Sequence, residues 1–187
     1  MNESLNKVFY SAGGVLIRTM QAEDIPLICK AEGDESKGSS EYLNRQLENQ
    51  QAGNCMALIA FYDGEPAGYV FLYYRCKWGG LGNQGIPGIV DLHVYEAVRR
   101  KGIGSRLMDI AEKEASLYSD RLYLDVCLNS DYGAAQVLYA KRGYIPDGKG
   151  VYYNQEVCPI DAECRNDDEL TLCLVKLLPE GNKSEQG

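Results

Sequence analysis

Asp91-Leu92-His93-Val94-Tyr95-Glu96-Ala97-Val98-Arg99-Arg100-Lys101-Gly102-Ile103-Gly104-Ser105 is the stretch on which the reading of this chain turns. It runs from an apolar strand through a basic, glycine-bearing turn into the start of a helix. The first turn of a helix presents amides that have no intrahelical acceptor, and the helix dipole makes that end positive. Such an end is a ready anion site. Gly102 and Gly104 let phosphate oxygens approach the backbone without meeting a Cβ, and Arg99, Arg100 and Lys101 add positive charge beside it. The expected ligand at this turn is diphosphate-like. Two common phosphate motifs are excluded: no Gly-Lys-Ser/Thr closes a GxxxxGK loop, and no GxGxxG follows the strand directly.

Downstream, Ile103, Leu107, Ile110, Ala111 and Leu117 recur at helical spacing and predict a helix from about Gly102 to Tyr118. Residues 122–128 read as a strand, and residues 132–141 as a helix stopped by Gly143. Two late strands, near residues 151–153 and 170–177, bracket an acidic loop. Upstream, residues 55–62 and 67–74 are strands joined by Asp63-Gly64, a strong hairpin signal. Between them and the central stretch, five glycines in residues 77–88 predict a flexible surface loop. Asp24-Ile25-Pro26 opens a first helix with Asp24 as its N-cap; a second starts near Ser39 or Ser40, and residues 15–18 form a short strand. These elements make one α+β domain over residues 14–178, after a loose lead over 1–13 and before a solvated tail over 179–187.

The chain of 187 residues is 45% hydrophobic and 25% charged, as ordinary globular proteins are. No apolar run reaches the roughly 20 residues that span a bilayer, and the N-terminus lacks a secretory pattern. The net charge of −8 disfavours nucleic acid and anionic membrane as partners and favours a cationic one. Seven cysteines without a CxxC pair argue against a zinc site and a disulfide framework, so no metal is expected. They read as reduced thiols in a cytoplasm, and Cys158 and Cys164, in one loop, are the pair to inspect for bonding.

Arg99-x-x-Gly102-x-Gly104 resembles the (Arg/Gln)-x-x-Gly-x-(Gly/Ala) signature of the GNAT superfamily of N-acetyltransferases. Residues 135–144, Ala-Gln-Val-Leu-Tyr-Ala-Lys-Arg-Gly-Tyr, are similar to that family's A-x-x-L-Y-x-x-x-G-(F/Y) helix and strand. The resemblance covers about residues 14–178. It implies a mixed, mostly antiparallel central sheet of about six to seven strands flanked by about four helices, and acetyl-coenzyme A as co-substrate. By that resemblance, residues 99–105, from Arg99 through Ile103 to Ser105, hold the pyrophosphate by backbone groups. Leu92 and Val94 lie along the pantetheine arm, the Leu92 amide donating to the thioester carbonyl. Tyr139 aligns with the tyrosine that protonates the departing thiolate; its alternative is a packed helix aromatic. The family's asparagine before this helix is replaced by Tyr132, so Asn129 becomes the candidate polar contact to the pantetheine.

A general base is weakly marked. Asp91 and His93 alternate with Leu92 and Val94 and share a strand face, and His93, the single histidine, has a pKa suited to proton transfer near neutrality. Either is a candidate, as is simple placement beside the sheet. Cys127 is a conceivable nucleophile whose apolar strand argues for packing. On the acceptor side the candidates are Glu32, Asp34 and Glu35, with Trp78 as a mobile flap and the acidic residues 156–169 as a second negative segment. The expected reaction is acetyl transfer to a primary amine, small or peptidic, by direct attack in a ternary complex. The alternative is a coenzyme A-binding regulatory module without transfer. A homodimer is expected on family analogy alone.

Overall fold

A computed structural model describes residues 6–33 and 37–179, the side chains of 37 and 38 excepted. Among them are nine strands and four α-helices: β1 (Val8–Ala12), β2 (Val15–Thr19), α1 (Ile25–Ala31), α2 (Lys37–Gln51), β3 (Cys55–Tyr62), β4 (Glu65–Tyr73), β5 (Gly88–Val94), α3 (Ile103–Ala115), β6 (Arg121–Cys127), α4 (Gly133–Lys141), β7 (Ile145–Tyr153), β8 (Glu156–Val157) and β9 (Leu170–Leu177). The α+β class holds; the strand count exceeds the expected six to seven by β1 and β8, short strands of five and two residues. No helix among the described residues is long and apolar enough to cross a membrane. The chain divides into two compact units, Met1–Tyr73 with Asp91–Ala111, and Tyr74–Val90 with Glu112–Gly187.

In the first unit β1, β2, β3 and β4 pair in sequence, each antiparallel to the next. β1 corrects the expected lead: Gly13 and Gly14 both have positive φ, so Ala12 pairs with Val15 across a tight hairpin. Asp63 and Gly64, also at positive φ, make the expected hairpin between Tyr62 and Glu65. β3 is a continuous apolar run, and seven of its eight residues are buried. Ile17, Met20, Ile28, Leu43, Phe71, Ile103, Leu107 and Met108 of this unit are also fully buried. Asp24 does not cap α1 with its side chain. Its carboxylate turns back to the Gln21 amide and pairs with both terminal nitrogens of Arg18 at 2.7 Å. In α3 the buried stripe runs through Ile103, Leu107, Met108 and Ala111, whereas Leu117 lies past the helix end and is exposed.

In the second unit Gly88 and Ile89 of β5 pair in parallel with β6, β6 pairs along its length with β9, and β7 lies on the other side of β9 with β8 at its edge. β7 starts six residues earlier than expected; Gly148 and Gly150 at positive φ disguise it by carrying an irregularity between Pro146 and Val151. Gly143, at φ 84°, ends α4 as expected. The glycine-rich loop 77–88 is not the flexible segment its composition implies. The Gly80 amide donates to the Asp125 carboxylate, Tyr123 donates to the Trp78 carbonyl at 2.5 Å, and Leu81 and Ile86 are buried. Gly80 serves close approach: a Cβ on it would stand 2.7 Å from the Cys173 Cβ and the Tyr152 ring.

Candidate active site

The basic turn belongs to the first unit. β5 reaches it through a single 3-10 turn, Glu96–Val98, after which Arg99 is extended. Arg100 at φ 63° and Gly102 at φ 80° take left-handed backbone, and α3 opens at Ile103. That conformation costs an L-residue roughly 1–2 kcal/mol, so Arg100 adopts it only because the turn demands it, while Gly102 is suited to it. Among the described residues the amides of Arg100, Lys101, Gly102, Ile103 and Gly104 donate to no protein acceptor; the helical ladder begins with Arg106 N to Gly102 O at 3.0 Å. A Cβ on Gly102 would meet nothing within 4 Å, so the space over the turn is open. Open amides and exposed cations together fit a diphosphate.

The cations are steered by neighbours that sequence reasoning did not name. Lys101 Nζ lies over the Tyr62 ring, 4.5 Å from its centroid and 3.3 Å from its hydroxyl. Arg106 lies over the Tyr10 ring at 4.1 Å. Arg99 Nε donates to the Val94 carbonyl at 3.2 Å.

Asp91, Leu92, His93 and Val94 also lie in this unit. Asp91 has φ 51°, a left-handed residue in the middle of β5. The expected alternation survives it: Asp91 and His93 are exposed, Leu92 and Val94 half-buried. Tyr42 donates its hydroxyl to the Asp91 carboxylate, and Tyr69 donates to Glu32 Oε1 at 3.0 Å. Burial, reinforced by these carboxylates, pushes both phenols up, so both remain donors. The His93 ring lies on Tyr69, 5.5 Å between centroids, and meets Tyr95 edge-on at 5.1 Å. Desolvation holds its pKa below 6.5, with Arg99 acting in the same direction and Glu32 and Asp91 opposing. The imidazole is therefore neutral at pH 7 and able to accept a proton. Tyr42 and Tyr69 had no local signal; they reach Asp91 and Glu32 across 49 and 37 residues. Asp34 and Glu35 lie outside the described residues.

Tyr139, Asn129 and Trp78 belong to the second unit. Tyr139 sits in the last turn of α4, buried, its ring edge-on to Tyr144 at 5.8 Å. Asn129 uses both ends of its amide: Oδ1 accepts from the Asp131 amide and Nδ2 donates to Asp168. Trp78 is 46% exposed, on a loop anchored by its own carbonyl. Cys127 donates to the Asp168 carbonyl, and burial raises its pKa, which keeps it a thiol rather than a nucleophilic thiolate. In the acidic loop Asp167 accepts from Tyr153 and from the Glu169 amide.

A model of the acetyltransferase (GNAT) domain matches residues 20–157, well over half the chain. No curated protein sequence matches it. Among solved structures the chain is similar to a ribosomal-protein-alanine N-acetyltransferase from Brucella melitensis, with 19% identity, coverage of 87% of this chain and 99% of that one, and a TM-score of 0.64. A GNAT-family acetyltransferase from Streptococcus pneumoniae gives 20% identity, 88% and 99% coverage, and a TM-score of 0.60. RimL, a ribosomal L7/L12 alpha-N-protein acetyltransferase solved with coenzyme A, gives 10% identity, 92% and 98% coverage, and a TM-score of 0.65. At these identities the three structures establish likeness of fold.

Proposed function

The chain belongs to the GNAT acetyltransferase family, an acetyl-coenzyme A-dependent acyltransferase family, and from that premise we propose that it acetylates a primary amine, small and cationic, by direct attack in a ternary complex. One observation carries the reading: among the described residues the amides of residues 100–104 are without protein acceptors, beside three exposed cations. Backbone groups of residues 99–105 take the pyrophosphate. Leu92 and Val94 pair with the pantetheine, and the Leu92 amide donates to the thioester carbonyl as it becomes an oxyanion. A preorganised donor of that kind is worth about 2.7–4 kcal/mol. Asn129 joins the pantetheine contacts by exchanging its bond to Asp168.

Attack requires a neutral amine, so a proton must leave the ammonium. His93 takes it, directly or through water, with Asp91 as the second candidate; the desolvated imidazole favours His93. Tyr139 returns a proton to the departing thiolate. Glu32, held by Tyr69, recognises the ammonium form of the acceptor, with Asp34, Glu35 and Trp78 as further acceptor contacts. A homodimer is proposed on family analogy alone, and a cytoplasmic location on the seven cysteines reading as reduced thiols.

The test is thiol release from acetyl-coenzyme A across a panel of polyamines, aminoglycosides, amino acids and peptides bearing free N-termini or lysines. Turnover with a cationic amine is expected. Binding of coenzyme A without turnover on any amine would reassign the protein as a binding module.

A further inference from the structure

The loop joining β8 to β9 brings two thiols together. Cys158 comes directly after β8, and its amide donates to the Val151 carbonyl at 2.8 Å, so the β7–β8 hairpin fixes its backbone. Cys164 lies six residues on, and the chain folds back to it through a turn in which the Ala162 amide reaches the Pro159 carbonyl and Asp161 takes a left-handed φ of 65°. The two Sγ atoms are 2.6 Å apart. A disulfide bond is about 2.05 Å long, so a shift of roughly half an ångström in the sulfurs closes it.

We propose that Cys158 and Cys164 are a redox modification site, a dithiol that low-molecular-weight disulfides convert reversibly to an intramolecular disulfide. Both side chains are half-buried, within reach of a small oxidant, as are Cys29 and Cys127, whereas Cys55, Cys76 and Cys173 are buried; what sets Cys158 and Cys164 apart is their contact. The step proceeds by thiol–disulfide exchange. The thiolate of one cysteine attacks a sulfur of the small disulfide, forms a mixed disulfide and expels one small thiolate. The second cysteine loses its proton and attacks the protein-side sulfur of that mixed disulfide, which expels the second small thiolate. Two protein thiols have then lost two electrons and two protons, and the oxidant has become two thiols. The ring so formed pins residues 159–163, among them Ile160, which is 93% exposed. Disulfides in reducing compartments are typically transient and regulatory, and a pair held in contact before oxidation suits that use. This inference is independent of the acetyl transfer proposed above.

The experiment uses the full chain, reduced, desalted and incubated with oxidised glutathione. Thiols are counted in denaturant, and the intact mass and a non-reducing digest are recorded. The count should fall by two from the seven of the reduced chain, with a mass loss of two hydrogens and a digest fragment that links Cys158 to Cys164. Dithiothreitol should restore all seven. In Cys158→Ser or Cys164→Ser the link should vanish and a glutathione adduct remain on the surviving cysteine. Seven thiols retained in the wild type, a stable glutathione adduct on its Cys158 or Cys164, or a link from either to another cysteine would overturn the proposal.

Discussion

The imidazole of His93 lies nearly parallel to the ring of Tyr69, 19° from coplanar, while Tyr69 commits its hydroxyl to Glu32. Desolvation of the imidazole lowers its pKa below 6.5. The sign is favourable for a base: the proton-accepting form persists at neutral pH and is lost only as pH drops through the lowered value. The acid limb of kcat/KM should therefore fall below pH 6.5. His93→Gln should lower kcat by roughly 10²–10⁴, the usual worth of a positioned acid or base, and should remove that limb. A variant whose limb stays in place would transfer the role to Asp91.

Gly102 combines a φ of 80° with open space over its Cα. Gly102→Ala should weaken coenzyme A binding modestly, through backbone strain of about 1 kcal/mol. Gly102→Glu should abolish it, because a carboxylate then stands where the diphosphate belongs. Calorimetric titration with coenzyme A reads both; wild-type affinity in the glutamate variant would move the cofactor elsewhere.

Tyr139→Phe keeps the ring that packs on Tyr144 and removes only the hydroxyl. If that hydroxyl protonates the leaving thiolate, kcat should drop roughly 10²–10⁴ with KM for acetyl-coenzyme A unchanged. A kcat equal to wild type would leave Tyr139 as a packed aromatic of α4 and nothing more.

How much of the fold could be read in advance depends on how local each signal is. The turn at 99–105, the hairpin at Asp63-Gly64 and the stop at Gly143 rest on neighbours a few residues apart, and each matches the structure. Composition misled at 77–88, where Gly79 and Gly80 mark close approach to Asp125, Tyr152 and Cys173 rather than freedom. Asp24 is the N-cap of α1 by position, as expected, but its carboxylate pairs with Arg18 on a strand and not with the helix it precedes. The hydroxyls that hold Glu32 and Asp91 come from Tyr69 and Tyr42, across 37 and 49 residues. Pairing over such distances leaves no period or spacing to read.

Within the second unit Glu112 accepts from Arg142 at 2.8 Å and from Lys176 at 2.6 Å, all three side chains mostly withdrawn from water. Burial alone would raise its pKa, but the two cations outweigh burial and hold it below its ordinary 4.5. Replacing it by glutamine strands both cations, and the penalty, discounted for their partial exposure, should be about 2 kcal/mol. For a chain of this size that is a Tm loss of roughly 4–8 °C. A carboxylate depressed in the folded state stabilises above its unfolded pKa and ceases to do so as pH falls through its folded one. Wild type and Glu112→Gln should therefore differ in urea or thermal melts at pH 7 and converge well below pH 4.5. A difference that persists undiminished in acid would mean that the packing of this side chain, and not its charge, holds the last turn of α3 to α4 and β9.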